Sequence, residues 1–229
     1  MRKMLFGLIV LLALLLAAEV GVTLLSQRGM ERAMRSQYGL PPSLEVAINS
    51  FPFLVSLARN HLGELQLSWE GELVSRTEEG EEANPPYQGK VNLYDVELNM
   101  PALLRGRLEI RSISRSEACF FLDQESLGAA FGLDRGFLSF HNGGVFATFE
   151  GRRVEYEVEI VGDDTVALNP VSGSINDADM PHGPQPVIQP PRLRATFEGL
   201  PLGAALQSAS LHGDRMAMRV SIPMWEGYM

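Results

Sequence analysis

The side chains that could carry catalysis are few and scattered. The four histidines, His61, His141, His182 and His212, show no metal-ligand spacing and stand beside no cysteine pair. Cys119 is the single cysteine, which excludes an intrachain disulfide and a thiolate metal cluster. Within Ala118-Cys119-Phe120-Phe121-Leu122 it reads as a small core residue. Asp177-x-Asp179 has the acidic spacing with which some glycosyltransferases hold a metal. No nucleotide-binding pattern surrounds it, and its loop-like context reads as solvated. Asp163-Asp164 follows Gly162 as a hairpin turn would. Glu155, Glu157 and Glu159 alternate along one strand face and read as a water-facing stripe. There is no G-x-S-x-G elbow, P-loop or G-x-G-x-x-G run. The expectation is a protein that is not an enzyme and uses neither metal nor cofactor.

What the chain has in quantity is apolar surface, beginning at its start. Arg2 and Lys3 precede an unbroken apolar run from Met4 to Ala18, and after Glu19 the run resumes through Val20, Val22, Leu24 and Leu25. About 20 such residues at about 1.5 Å each match a hydrocarbon core of roughly 30 Å. No polar face interrupts Leu5–Ala18, so a buried helix of a globular protein is the weaker reading. Cleavage after Ala17 or Ala18 would place Leu15 or Leu16 at the −3 position, and cleavage after Gly21 would place Glu19 there. None suits a signal peptidase. Residues 1–26 are therefore expected as a retained membrane anchor, with a cleaved signal segment as the alternative, and residues 27–229 as one water-facing domain.

Charge excludes one class of partner. The chain carries a net −9; residues 1–35 hold five basic and two acidic side chains, and this +3 leaves −12 beyond them. Such a domain repels nucleic acid. The basic stretch with Arg28, Arg32 and Arg35 suits anionic headgroups instead.

The elements that must position these residues are mostly strands. Gln27 to about Gly39 reads as a helix, stopped before Pro41-Pro42. Alternation then marks Leu44, Val46, Ile48; Leu65, Leu67, Trp69; Val91, Leu93; Val96, Leu98, Met100; Val154, Tyr156, Val158, Ile160; Leu193, Ala195, Phe197; and Met216, Met218, Val220, Ile222. Strands in series with one wet face predict antiparallel pairing. The phase slips between Leu93 and Val96, and between Ile110 and Ile113, predict bulges and bending. Ser50 is placed to cap a helix with Leu54, Leu57, Ala58 and His61 on one face, and Asp123 to cap another through Leu127, Ala130 and Phe131 to Gly132. Residues 76–86 and 169–191 read as loops, flexible by composition.

Four short motifs, in order, resemble the LmeA-like phospholipid-binding family. They are Tyr38-Gly39-Leu40-Pro41-Pro42 with Val46-x-Ile48 and Ser50-Phe51-Pro52-Phe53-Leu54; Leu93-Tyr94-Asp95-Val96-Glu97-Leu98; Phe121 to Leu127; and Gly199-Leu200-Pro201-Leu202-Gly203. The resemblance implies an α+β fold in which a long curved antiparallel β-sheet wraps around helices, related in shape to tubular (TULIP-like) lipid-binding proteins, here preceded by an N-terminal transmembrane helix. It also implies an extracytoplasmic, periplasmic setting at a bacterial cell envelope, a phospholipid ligand and a part in envelope lipid homeostasis. The stretch Asn169–Pro191 is longer than the family pattern leads one to expect.

The expected function is thus a single-pass cell-membrane protein whose extracytoplasmic domain takes acyl chains into an apolar groove. Phe51, Phe53, Leu54 and Leu57 are expected to line or gate that groove, with Trp69, Phe120 and Phe131 deeper in. The rival expectation is a structural or assembly protein of the envelope with the same elements and a filled core. A membrane-tethered hydrolase or transferase would need converging acid, base or metal ligands, which the sequence does not supply.

Overall fold

The apolar start and the basic stretch behind it form one helix, α1 (Arg2–Tyr38), where an anchor ending near residue 26 and a second helix from Gln27 were expected. Nothing between them stops a helix; the first proline after it is Pro41. The helix closes with the Gly39 N–H donating to the Arg35 carbonyl at 3.1 Å, and Gly39 takes a φ of 65° that suits glycine. At 37 residues α1 is about 55 Å long and is apolar enough to cross a membrane. Signal sequences meet the same criteria. Every side chain from Leu5 to Ala18 is exposed, whereas Glu19, Met30, Ala33 and Met34 are buried.

The computed structural model describes residues 2–103, 105, 107–149, 152–171 and 190–223. After α1 come β1 (Glu45–Ile48), α2 (Phe53–Ala58), β2 (His61–Glu72), β3 (Val74–Thr77), β4 (Glu82–Ala83) and β5 (Pro86–Leu98). Next are α3 (Met100–Leu103), β6 (Ile110–Ser112), β7 (Arg115–Asp123), α4 (Gln124–Ala130), β8 (Leu138–His141) and β9 (Gly144–Phe149). The chain ends in β10 (Arg152–Val161), β11 (Thr165–Pro170), β12 (Leu193–Glu198), β13 (Ala205–His212) and β14 (Arg215–Ser221). The fold is α+β, with antiparallel sheets, few helices and a long apolar N-terminal helix.

Two compact units are built from these elements. The first holds the described residues up to Trp69 together with Lys90–Glu117. Here β1 pairs antiparallel with β2, and β5 follows β2 in the sheet and also pairs with β6. The second half of α1 lies on β1, pinned by Arg35 donating to the Leu44 carbonyl at 2.6 Å and the Leu108 N–H donating to Gln37 Oε1 at 3.1 Å. Leu44, Leu65, Leu67, Val91, Leu93, Val96 and Leu98 are each solvent-inaccessible, as their alternation demands. The expected slip between Leu93 and Val96 is absorbed at Asp95, whose φ of 50° lets Leu93 and Val96 both point inward. The second slip falls where β6 ends at Ser112 and β7 begins at Arg115.

The second unit comprises Glu70–Gly89 and Ala118–Pro223. The end of β7 pairs with β14 and β14 with β13, while β4-β3-β12-β11-β10-β9-β8 form a separate antiparallel sheet. Asp123 caps α4 as expected, with Oδ1 accepting from the Ser126 N–H at 2.7 Å. Gly162-Asp163-Asp164 is the turn joining β10 to β11. Residues 76–86, expected as a loop, hold the β3–β4 hairpin. Arg76 draws them in by pairing with Glu82 and, at 3.1 Å, with Glu198, and the hairpin's acidic residues thereby gain a counter-charge. Cys119, expected in the core, lies half-buried on the strand face opposite Phe120. Of the expected loop 169–191, Asn169 and Pro170 complete β11, and residues 172–189, including Asp177-x-Asp179 and His182, lie outside the described residues.

On β10, Tyr156 is buried and its hydroxyl donates to the Pro191 carbonyl at 3.1 Å. Burial disfavours the phenolate and pushes the pKa from 10.0 up to about 12. The unfolded chain therefore ionises this group first, so its contribution is intact below pH 10 and declines as pH rises towards 12. In chemical unfolding of the full chain in mild detergent, the wild type should lose about 2 kcal/mol more than Tyr156→Phe across that interval, and equal losses would show that the phenol is not desolvated.

Candidate functional site

The site is built where the strand β1 hands over to α2, entirely within the first unit. Ser50 was expected to cap α2. Its Oγ instead accepts from the N–H groups of Gly63 at 2.8 Å and Glu64 at 3.3 Å, and so ties the turn to β2. The cap comes from α1. Glu19 Oε1 accepts from the Phe53 N–H, and Oε2 accepts from the Leu54 N–H at 3.0 Å. These are first-turn amides with no partner inside their own helix, and a carboxylate there also meets the positive end of the helix dipole. Glu19 is 9% exposed, and Thr23 donates to its carbonyl at 2.7 Å. The helix stops at Ala58, because Asn60 turns to a φ of 55° and its carbonyl accepts from the Leu98 N–H at 2.9 Å. His61, expected on the helical face, opens β2 instead.

Between α1 and this turn lies an open groove of about 510 Å³. One side is Leu16, Val20 and Leu24 of α1, with Glu19 and Thr23; Ile48 to Phe51 form the other. The volume is within the range of small-ligand sites. Its surface is mainly apolar, from aliphatic side chains and one aromatic ring, with Thr23, Gln27, Asn49 and Ser50 also in the lining and the Glu19 carboxylate engaged by two backbone amides. Phe51 is 80% exposed and Val55 45%, and with the bare side chains of α1 they add to the exposed apolar surface of this unit.

The seven residues singled out from sequence do not all meet here. Phe51 lines the groove, and the backbone of Phe53 and Leu54 receives Glu19. The Phe53 side chain is buried and Leu54 half-buried, while the Leu57 side chain lies outside the described residues. Trp69 is packed into the first unit at 1% exposure. Phe120 and Phe131 belong to the second unit, both buried, Phe120 at 0% with its ring edge-on to Tyr87 at 5.2 Å between centroids. Sequence reasoning missed Glu19 as a cap and Leu16, Val20 and Leu24 as groove wall. The lone carboxylate inside an apolar helix was the available signal.

Among the described residues of the second unit lie smaller hollows, of about 230 and 320 Å³, which share Pro86, Asp123 and Ser126 and are lined by polar and apolar groups alike. Among the described residues no group of three or more His, Cys, Asp or Glu is placed to hold a metal ion. A family model described as LmeA-like phospholipid-binding matches residues 17–221, a span that begins two residues before Glu19. No curated protein and no solved structure matches the chain.

Removing the Glu19 carboxylate should release α2. A buried amide left without its acceptor costs about 1–3 kcal/mol, so Glu19→Leu should raise hydrogen exchange across Phe53–Ala58 by about 30-fold, with Glu19→Gln between it and the wild type. Unchanged exchange in Glu19→Leu would remove the cap from the account.

Proposed function

We propose that this chain, which belongs to the LmeA-like phospholipid-binding family, is a membrane-tethered, non-catalytic protein that takes phospholipid acyl chains into the groove beside Glu19. Family membership supports lipid as the ligand. The observation that carries the location is that the apolar helix itself forms one wall of an apolar groove. Each acyl CH₂ buried there contributes roughly 0.8 kcal/mol, so an aliphatic lining suffices without specific polar contacts. In this reading α1 is a retained single-pass anchor, Phe51 contacts the chain, and Leu54 braces the turn that presents it. Trp69, Phe120 and Phe131 act through packing. Exposed Arg28 and Arg32, which follow the last groove residue Gln27 on α1, suit the phosphate of the headgroup. The setting that goes with the reading is the extracytoplasmic face of a bacterial envelope membrane, and the role is upkeep of envelope lipid.

The near-complete burial of Phe53, Trp69 and Phe120 favours a second reading, a structural or assembly protein of the envelope with a filled core. One experiment separates them. The full chain, purified in detergent and incubated with phosphatidylglycerol, is released into the gas phase for native mass spectrometry. The proposal expects a discrete one-lipid adduct that falls at least tenfold in Val20→Trp, which fills the groove, and in Phe51→Ser. No adduct on the wild type would favour the filled-core reading, and an adduct indifferent to both variants would move the lipid elsewhere.

A further inference from the structure

Helix arithmetic sets the depth of the Glu19 contact. The fully exposed apolar stretch Leu5–Ala18 spans about 21 Å, well short of a hydrocarbon core of roughly 30 Å. Extending the span to Leu25 gives about 31 Å. The added residues include Val20, Leu24 and Leu25, exposed by 58%, 50% and 70%, and the polar residues Ser26, Gln27, Arg28, Glu31 and Arg32 follow within the next two turns. The segment needed to complete the crossing is therefore the one on which Glu19 holds the start of α2.

We infer that the turn at Phe51-Pro52 and the first turn of α2 enter the bilayer alongside α1, with Phe51 and Val55 as a wedge, so that the groove opens into the hydrocarbon of one leaflet. Three independent observations converge on this. Phe51 and Val55 flank the two amides bound to Glu19 and are the exposed large apolar side chains of that turn. Glu19, the one charged side chain lining the groove, has both carboxylate oxygens occupied by backbone donors, which is what a carboxylate at that depth requires. Arg28 on α1 and Arg59 just past the end of α2 are both exposed cations, as contacts with headgroups would require. The occupant is an acyl chain of a bilayer phospholipid, which would enter sideways from the leaflet without crossing water. The inference rests on α1 being a retained membrane helix.

The test uses the full chain in phosphatidylcholine vesicles, in a Cys119→Ser background, with an environment-sensitive fluorophore on one introduced cysteine at a time. Leu16→Cys reports the tether, Phe51→Cys and Val55→Cys the wedge, and Ser36→Cys, about 16 Å beyond Leu25, the aqueous end of α1. Lipids spin-labelled along the acyl chain should quench the labels at 51 and 55 as strongly as one at Leu25→Cys, leaving Ser36→Cys unquenched. If 51 and 55 stay water-like while 16 is quenched, the wedge is wrong and the tether stands. If 16 is also water-like, the tether and the wedge fall together.

Discussion

A carboxylate inside an apolar helix is costly in hydrocarbon and no asset in a protein core unless donors meet it. In this chain the donors are the first two amides of α2, and much of the first unit follows from that contact. It caps a helix of six residues that is too short to persist by its own propensity. It also fixes where the chain leaves β1, and so presents Phe51 outward while the Phe53 ring turns inward. Both partners need the bond. Without α2, Glu19 would be a bare charge on an apolar surface, and without Glu19 the amides of Phe53 and Leu54 would be orphaned.

The strands supply what this junction stands on. β1 is held in register with β2 from Glu45 opposite Ser68 to Ile48 opposite Leu65, and Ser50 continues the attachment by taking the amides of Gly63 and Glu64. The turn is thereby anchored on both sides, by a hydroxyl to the sheet and by a carboxylate to α1. Large aromatic side chains serve a different purpose. Trp69 in one unit and Phe120 in the other are buried, and Gly71 lies close against its neighbour, because a Cβ there would lie 2.8 Å from the Tyr87 ring. These interiors are packed as proteins usually are.

Much of this was legible in the sequence, for reasons that differ by scale. Period-two alternation identified the buried faces of β1, β2, β5 and β14, and the phase slip at Leu93–Val96 foretold the irregular Asp95, since a one-residue slip in a strand must be absorbed by the backbone. Asp123 was readable as a cap because its partner, Ser126, is three residues away. Ser50 had the same local signature and proved to bond elsewhere, because the α2 amides are served by a residue 34 positions earlier. Local rules cannot see such a partner. The same limit explains the hairpin at 76–86: acidic residues and glycine read as a loop until Arg76 and Glu198 of a distant strand supply pairing. Of the aromatic residues singled out, Phe51 lines the groove while Phe53, Trp69, Phe120 and Phe131 are buried, a division that composition alone does not reveal.

The continuity of α1 changes how tether and groove relate. Two separate helices would have left the groove independent of the apolar segment. Instead Leu16, Val20 and Leu24 are at once candidate bilayer-spanning residues and groove wall, and Glu19 between them is the cap of the opposite wall. A fragment beginning at residue 27 would lose one side of the groove and the acceptor that orders the other. The family match starts at residue 17, just ahead of this contact, rather than at the first strand. The matched span thus takes in the Glu19 contact and the second half of α1 together with the strands.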